Sequence, residues 1–135
     1  MGSMVGYFSI PGVTAAADLS TKQYHAVKLD STARRVAAIT NANAEQPIGI
    51  LQDDPDAAGR TADVAYFGIV KAELGGTVSF GANLACNNDG ELISDDEITN
   101  GGAVDLHHIG VALEAGVDGD IVDVLLHNAD RIGSE

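Results

Sequence analysis

An internal repeat constrains the fold of this 135-residue chain more than any other feature of its sequence. The segment IGIL at residues 48–51, an acidic turn and then DVAY at 63–66 are echoed by IGVAL at 109–113, a glycine-containing turn and DVLL at 123–126. Two similar halves in tandem predict duplicated strand sets that close into one small barrel. Chance similarity in a chain rich in alanine, glycine and aspartate is the alternative.

A second matched pair of segments lies upstream of the two copies. Residues 26–31 resemble residues 82–87, with Ala26 aligned on Ala82, and each segment is followed by a short strand-like run. We therefore expect the halves 23–70 and 77–127 to superpose as similar strand sets.

Short runs of strand-forming residues alternate with turn residues along most of the chain. They lie at residues 24–29, 36–39, 48–51, 63–70, 92–93, 107–113 and 120–127. This rhythm is typical of an all-β fold, either a small β-barrel or a β-sandwich. The alanine-rich stretches 14–18 and 32–39 could instead form single helical turns.

The length of the chain indicates one domain with flanking segments. Residues 1–20 show no sustained period and are predicted to form an extended N-terminal arm that lies outside the core. A β-barrel domain is expected at residues 21–128 and a C-terminal tail at residues 129–135.

Charge excludes several classes of partner. The formal net charge of -13 repels nucleic acid and anionic membranes, so we expect neither as a partner.

No apolar run approaches the length of a bilayer, and the N-terminus lacks a secretory pattern, so we expect a protein that is soluble where it is made. The single cysteine, Cys86, excludes an internal disulfide and is interpreted as a small buried apolar residue.

No motif points to a cofactor or to a bound metal. The turn NNDGE at residues 87–91 resembles a calcium loop, but aligning Gly90 on the loop glycine places Ala85 at the first ligand position and Asp96 at the last. An ordinary hairpin turn is therefore favoured.

The histidines and carboxylates do not form a recognisable catalytic pattern. His107 and His108 are neighbours that would point to opposite faces of a strand, while His25 and His127 stand alone, so all four are interpreted as structural. The sequence has no G-x-S-x-G elbow, and its carboxylate clusters lie in turn-like segments. We expect a protein that is not an enzyme, with no catalytic residue, no cofactor and no metal.

The order of several short motifs is more specific than any one of them. IGILQD at 48–53 is followed by AAG at 57–59, ADVA at 62–65, GIVK at 68–71, GGTV at 75–78, GANL at 81–84, DG at 89–90, IGVALEA at 109–115 and DIVDVLL at 120–126. In this order the segments resemble the small capsid decoration, or cement, proteins of tailed bacteriophages, over nearly everything from residue 23 to residue 127. The acidity of the chain and its longer segment 95–106 depart from the family pattern.

The resemblance implies a structural virion protein, made in the host bacterial cytoplasm and located on the outer capsid surface. It implies that the protein binds the assembled lattice of the major capsid protein, usually as a homotrimer, and stabilises the shell. The family has no catalytic motif to carry over to this chain.

Apolar residues of the arm are the first candidate binding group, because they alternate along a segment that could add a strand to the edge of a partner's sheet. The expected capsid-binding residues are Val5, Tyr7, Phe8 and Ile10. The alternative is that they cover their own barrel.

The second candidate group lies in the run 64–70, which is apolar on both faces and so favours a subunit contact. The expected contact residues are Tyr66, Phe67 and Ile69.

Three rival functions remain open on the sequence alone, and the third of them is an enzyme. A ligand- or carbohydrate-binding β-module of a virion fibre or adhesin would need exposed aromatic side chains. A biotinyl or lipoyl carrier domain would need a lysine on a hairpin between its halves, and Lys71 lies near that junction but within a strand pattern.

Overall fold

The computed structural model describes residues 6–31, 34–42, 44–94 and 108–127, and these contain strands and turns but no helix. The strands are β1 (Gly6–Ser9), β2 (Thr14–Ala15), β3 (Ala26–Leu29), β4 (Arg35–Ala38), β5 (Gly49–Leu51), β6 (Val64–Glu73), β7 (Asn83–Cys86), β8 (Leu92–Ser94), β9 (Gly110–Ala112) and β10 (Ile121–Leu126). The predicted all-β class is confirmed. In the described part of the chain there is accordingly no helix long and apolar enough to span a membrane.

The strands form one sheet in the order β2-β4-β3-β5-β6-β10-β9-β7-β8, with β1 paired to β6 outside this path. The pairs are antiparallel except for β2 with β4. The terminal strands β2 and β8 are not neighbours, so the sheet is not closed and the predicted barrel is wrong. The alanine-rich segments contain β2 and β4 rather than helical turns within their described residues.

The two halves have the same topology, which confirms the repeat. The first half runs β4-β3-β5-β6 across the sheet, and the second half runs β8-β7-β9-β10 in the mirrored order, so that the halves meet where β6 pairs with β10. The registers also agree, since Ile50 pairs with Ala65 in the first half and Val111 pairs with Leu125 in the second.

The two halves also share a hydrogen bond from a backbone nitrogen to a carboxylate side chain. The backbone nitrogen of Asp63 donates to Oδ1 of Asp53 at 3.1 Å, and that of Asp123 donates to Oε1 of Glu114 at 3.2 Å. Asp53 follows β5 and accepts from the residue that precedes β6, and Glu114 follows β9 and accepts from a residue of β10. The repeated turns are therefore stabilised in the same way.

The predicted alignment of residues 26–31 on residues 82–87 is wrong by one residue. Val27 pairs with Gly49 and Leu84 pairs with Gly110, so Val27 corresponds to Leu84 and not to Asn83. The reason is the two-residue period of a strand, because a slip of one residue would place exposed Asn83 in the position of fully buried Val27.

Two apolar clusters stabilise the open sheet, one formed within the arm and first half and one shared by both halves. The first cluster contains Val13, Ala15, Leu19, Val27, Val36, Leu51, Ala62 and Val64. The second contains residues of both halves, including Ile39 and Ile50 of the first and Leu84, Leu92 and Val124 of the second. Neighbouring residues of β3 and β5 alternate between the clusters, so these strands are covered on both faces.

Three side chains in the described part of the predicted arm belong to this core. Val13, Ala15 and Leu19 are at most 4% exposed, and β1 and β2 pair with β6 and β4. The expectation that these residues lie outside the core is therefore corrected, because their side chains complete the first apolar cluster. The predicted tail, residues 129–135, lies outside the described residues.

Hydrogen bonds show that the arm is part of the repeat. The backbone of Ala15 exchanges bonds of 2.8 Å with Arg60 and Gly59, as the backbone of Leu74 does with Asp120 and Gly119. The sequence contains the corresponding signal, since YFSI at residues 7–10 matches YFGI at residues 66–69. Strand β6 is thus both the last strand of the first repeat and the first strand of the second.

Candidate docking face

Three adjacent strands expose an apolar face, which we call the docking face and define by Phe8 of β1, Phe67 and Ile69 of β6, and Leu125 of β10. Phe8 lies opposite Phe67 in the β1–β6 pair, and Ile69 lies opposite Leu125 in the β6–β10 pair. Phe8 is 61% exposed, Phe67 45% and Leu125 37%. Since Val70 on the reverse face of β6 is fully buried, one face of this strand is core and the other meets solvent.

Three aromatic rings lie together where β1 pairs with β6. The ring centroids of Phe8 and Phe67 are 5.9 Å apart with an interplanar angle of 21°, and the Tyr66 ring lies 6.4 Å from that of Phe8. Offset stacking at this distance is a favourable contact between the rings. The face therefore presents adjacent apolar side chains that contact one another.

A bulge explains why the neighbouring residues Tyr66 and Phe67 are both exposed. Phe8 pairs with Phe67 and Ser9 pairs with Ala65, so Tyr66 is the extra residue between them. A bulge re-aims the side chain of its extra residue, and here it turns Tyr66 towards the ring of Phe8.

Asp63 anchors β1 against the sheet. The hydroxyl of Tyr7 donates to Oδ2 of Asp63 at 2.7 Å, and the hydroxyl of Ser9 donates to Oδ1 at 2.6 Å. The hydrogen bond to the Asp63 carboxylate, with some desolvation, raises the pKa of Tyr7 to about 12, because losing the phenolic proton would place two negative charges together.

Glycine permits the close approach of β1 to β6. Gly68 lies opposite Tyr7 with a φ of 112°, and an added Cβ there would overlap the carbonyl oxygen of Gly6. A side chain at this position would force β1 away from the sheet.

The outer edge of β1 continues the docking face. Among the described residues, β1 pairs with β6 alone, so its second edge lacks a strand partner. An unpaired edge can accept a strand from another chain.

A charged pair lies further along the same strands. Nζ of Lys71 donates to Oδ1 of Asp123 at 2.9 Å, across the β6–β10 pair. Lys71 is therefore a paired strand residue, which is unlike the hairpin lysine that a carrier domain requires.

The structure joins the two groups of predicted binding residues into one surface. Phe8, expected to bind the capsid, stacks on Phe67, expected to contact another subunit. Ile69 lies on the same face, whereas Ile10 packs partly buried against the first apolar cluster, and its nitrogen donates to Val64. Val5 lies outside the described residues.

A second cluster contains His25, which sequence analysis left without a partner. His25, Glu73 and Glu91 each place a possible ligand atom within 4.8 Å of the others. His108 and His127 also meet, with 3.2 Å between their Nε2 atoms. No local spacing signals these contacts, because the residues of each group are far apart in sequence.

Cys86 is buried, as predicted, with 3% exposure. Burial raises the pKa of its thiol to about 12, because the thiolate would be poorly solvated.

Comparison with known proteins gives a likeness in fold. No protein-family model and no curated protein matches the sequence. Among solved structures, the chain is similar to the N base of the head fiber gp8.5 of bacteriophage phi29, with a TM-score of 0.62. The alignment covers 92% of this chain and 95% of that chain at 17% sequence identity, so it shows a shared fold.

Proposed function

We propose that the chain is a structural protein of a phage virion, without catalytic activity or a cofactor. The support is a fold shared with the head fiber base over almost the full length of both chains. The motif order that resembles capsid decoration proteins supports the same class from an independent direction.

The finer proposal is that the protein binds the outer surface of the assembled capsid and stabilises the shell, with the major capsid protein lattice as its partner. The docking face is the observation that carries this proposal. Adjacent large apolar side chains on the surface of an otherwise strongly acidic chain are typical of a protein-binding site. The open edge of β1 lies beside these side chains and can pair with a strand of the partner.

The proposed homotrimer would make this binding effective. A protein that binds only the closed lattice stabilises it by mass action. Three linked copies would contact several capsid subunits at once and so gain avidity from individually weak contacts.

Co-sedimentation with expanded capsids of the phage that encodes the chain tests the proposal. Wild-type protein should pellet with the capsids, and Phe8→Ser and Phe67→Ser should greatly reduce pelleting. Phe80→Ser is the matched control, since Phe80 is 74% exposed and lies outside the docking face. Absence of wild-type pelleting, or equal binding by all variants, would contradict the proposed docking face.

Sedimentation velocity separates the two uses of the docking face. If the face binds the lattice, Phe67→Ser should remain a trimer while capsid binding falls. If the face joins subunits, the same variant should become a monomer. A wild-type protein that is monomeric both in solution and on the lattice would reject the trimer.

A ligand- or carbohydrate-binding module of a virion fibre or adhesin is the second candidate. The exposed ring of Phe80 favours it, because sugar sites commonly need an accessible aromatic surface. Glycan binding that is lost in Phe80→Ser would support this function, and glycan-independent pelleting with capsids would favour the first.

A further inference from the structure

His25, Glu73 and Glu91 come together from three separate segments of the chain. His25 precedes β3, Glu73 ends β6 and Glu91 precedes β8. His25 is only 6% exposed, and both glutamates are partly buried. Nε2 of His25 lies 3.1 Å from Oε1 of Glu73, and the possible ligand atoms of all three residues lie within 4.8 Å of one another.

The hydrogen bond at the other ring nitrogen orients His25. Its Nδ1 lies 2.9 Å from the carbonyl oxygen of Asp89, which Nζ of Lys22 also approaches at 3.4 Å. A carbonyl oxygen can only accept, so Nδ1 must carry the proton and donate it. Metal-binding histidines are commonly held in this way, with the second nitrogen directed at the metal.

Backbone and side-chain hydrogen bonds hold the three segments in place. The nitrogen of Glu73 donates to the carbonyl of Tyr24 at 3.0 Å, and that of Ala26 donates to Gly90 at 2.7 Å. Nδ2 of Asn87 donates to Oε1 of Glu91 at 3.1 Å, which orients that carboxylate. Donor atoms fixed before a ligand arrives reduce the cost of ordering them on binding.

We propose that these residues form a binding site for a divalent transition-metal cation of the zinc type. Nε2 of His25 and one carboxylate oxygen from each of Glu73 and Glu91 supply three ligands, and water completes the coordination. One imidazole and two carboxylates are ligands that Zn²⁺ accepts, and the carboxylates balance its charge. The imidazole nitrogen makes the site less suited to Ca²⁺ and Mg²⁺, which prefer oxygen.

The metal would link the two halves of the repeat. It would join the segment before β3 in the first half to the hairpin of β7 and β8 in the second. Because the donor atoms are brought together only in the folded chain, binding would stabilise the fold. This role is independent of capsid binding.

Zinc titration of the chelator-treated full chain, without a polyhistidine tag, tests the proposal. We expect calorimetry to show one Zn²⁺ per chain and the unfolding temperature to rise with Zn²⁺, with much weaker effects of Ca²⁺ and Mg²⁺. His25→Gln and Glu91→Gln should weaken Zn²⁺ binding by at least about tenfold. Glu91→Gln retains an amide oxygen for the bond from Asn87, so this variant tests the site even where replacement of buried His25 impairs folding.

His127→Gln is the matched control, since His127 lies in a different histidine cluster of the described chain, with its Nε2 atom 3.2 Å from that of His108. It should bind Zn²⁺ as the wild type does. The proposal is overturned if wild-type protein shows no Zn²⁺-dependent rise in unfolding temperature. It is equally overturned if binding persists in both His25→Gln and Glu91→Gln but disappears in His127→Gln.

Discussion

Gly49 and Gly110 occupy equivalent positions in the two halves, and each lies directly against the backbone of the neighbouring strand. A Cβ added to Gly49 would overlap the carbonyl oxygen of Ala65, and one added to Gly110 would overlap that of Leu125. Because Ala65 and Leu125 are themselves equivalent, the same close approach of two strands occurs twice. Glycine is required at both positions because a side chain would overlap the neighbouring strand.

Alanine at either position should destabilise the fold. We expect Gly49→Ala and Gly110→Ala to lower the free energy of unfolding by about 1–3 kcal/mol each, since the added atom must displace a paired strand. Urea unfolding measures the effect. Gly6→Ala is the control, because its added Cβ meets no atom within 4 Å. A neutral effect of either core substitution would show that the strands can separate without loss.

Deletion of residues 1–18 should destabilise the domain strongly. It removes β1, β2 and the buried side chains of Val13 and Ala15. Opening a core commonly costs about 2–5 kcal/mol for one large side chain, so we expect a large fall in the unfolding temperature. Circular dichroism during heating measures this, with deletion of residues 1–4 as the control. Unfolding within a few degrees of the wild type would restore the interpretation of an independent arm.

Tyr7 should lose its proton only at strongly alkaline pH. Its pKa is raised from 10.0 to about 12, so the bond to Asp63 contributes stability that is present below pH 10.0 and is lost as the pH rises through about 12. Ultraviolet titration should show a late tyrosinate step that disappears in Tyr7→Phe and persists in the control Tyr66→Phe. A late step that survives Tyr7→Phe would assign it to another residue.

Cys86 should be inert to thiol reagents in the folded protein. The thiol is buried and its pKa is about 12, so the reactive thiolate is both scarce and inaccessible. A chromogenic disulfide reagent should modify it only after unfolding, and protein in concentrated urea provides the positive control. Rapid modification under native conditions would show that the second apolar cluster opens readily.

Because similar sequence segments occur in both halves, much of the fold could be predicted. DVAY at residues 63–66 and DVLL at residues 123–126 occupy the same register, as their similarity predicted. The weaker similarity near Ala26 and Ala82 misplaced one strand by a single residue. The match between YFSI at residues 7–10 and YFGI at residues 66–69 was missed, because Pro11 and the alanines that follow obscured the strand pattern.

The sequence by itself determined the segments that overlap β3 to β6 and β8 to β10 and their duplication, because alternation of side chains and turn chemistry act between neighbours. Strands β1, β2 and β7 lie outside the predicted strand runs. The burial of Cys86 was predicted from the apolar character of a lone thiol. Only the tertiary structure decided that the sheet stays open, that Phe8 stacks on Phe67, and that His25 meets Glu73 and Glu91. These contacts join residues from distant parts of the chain. Their geometry depends on the path of the whole backbone, which no local pattern of side chains specifies.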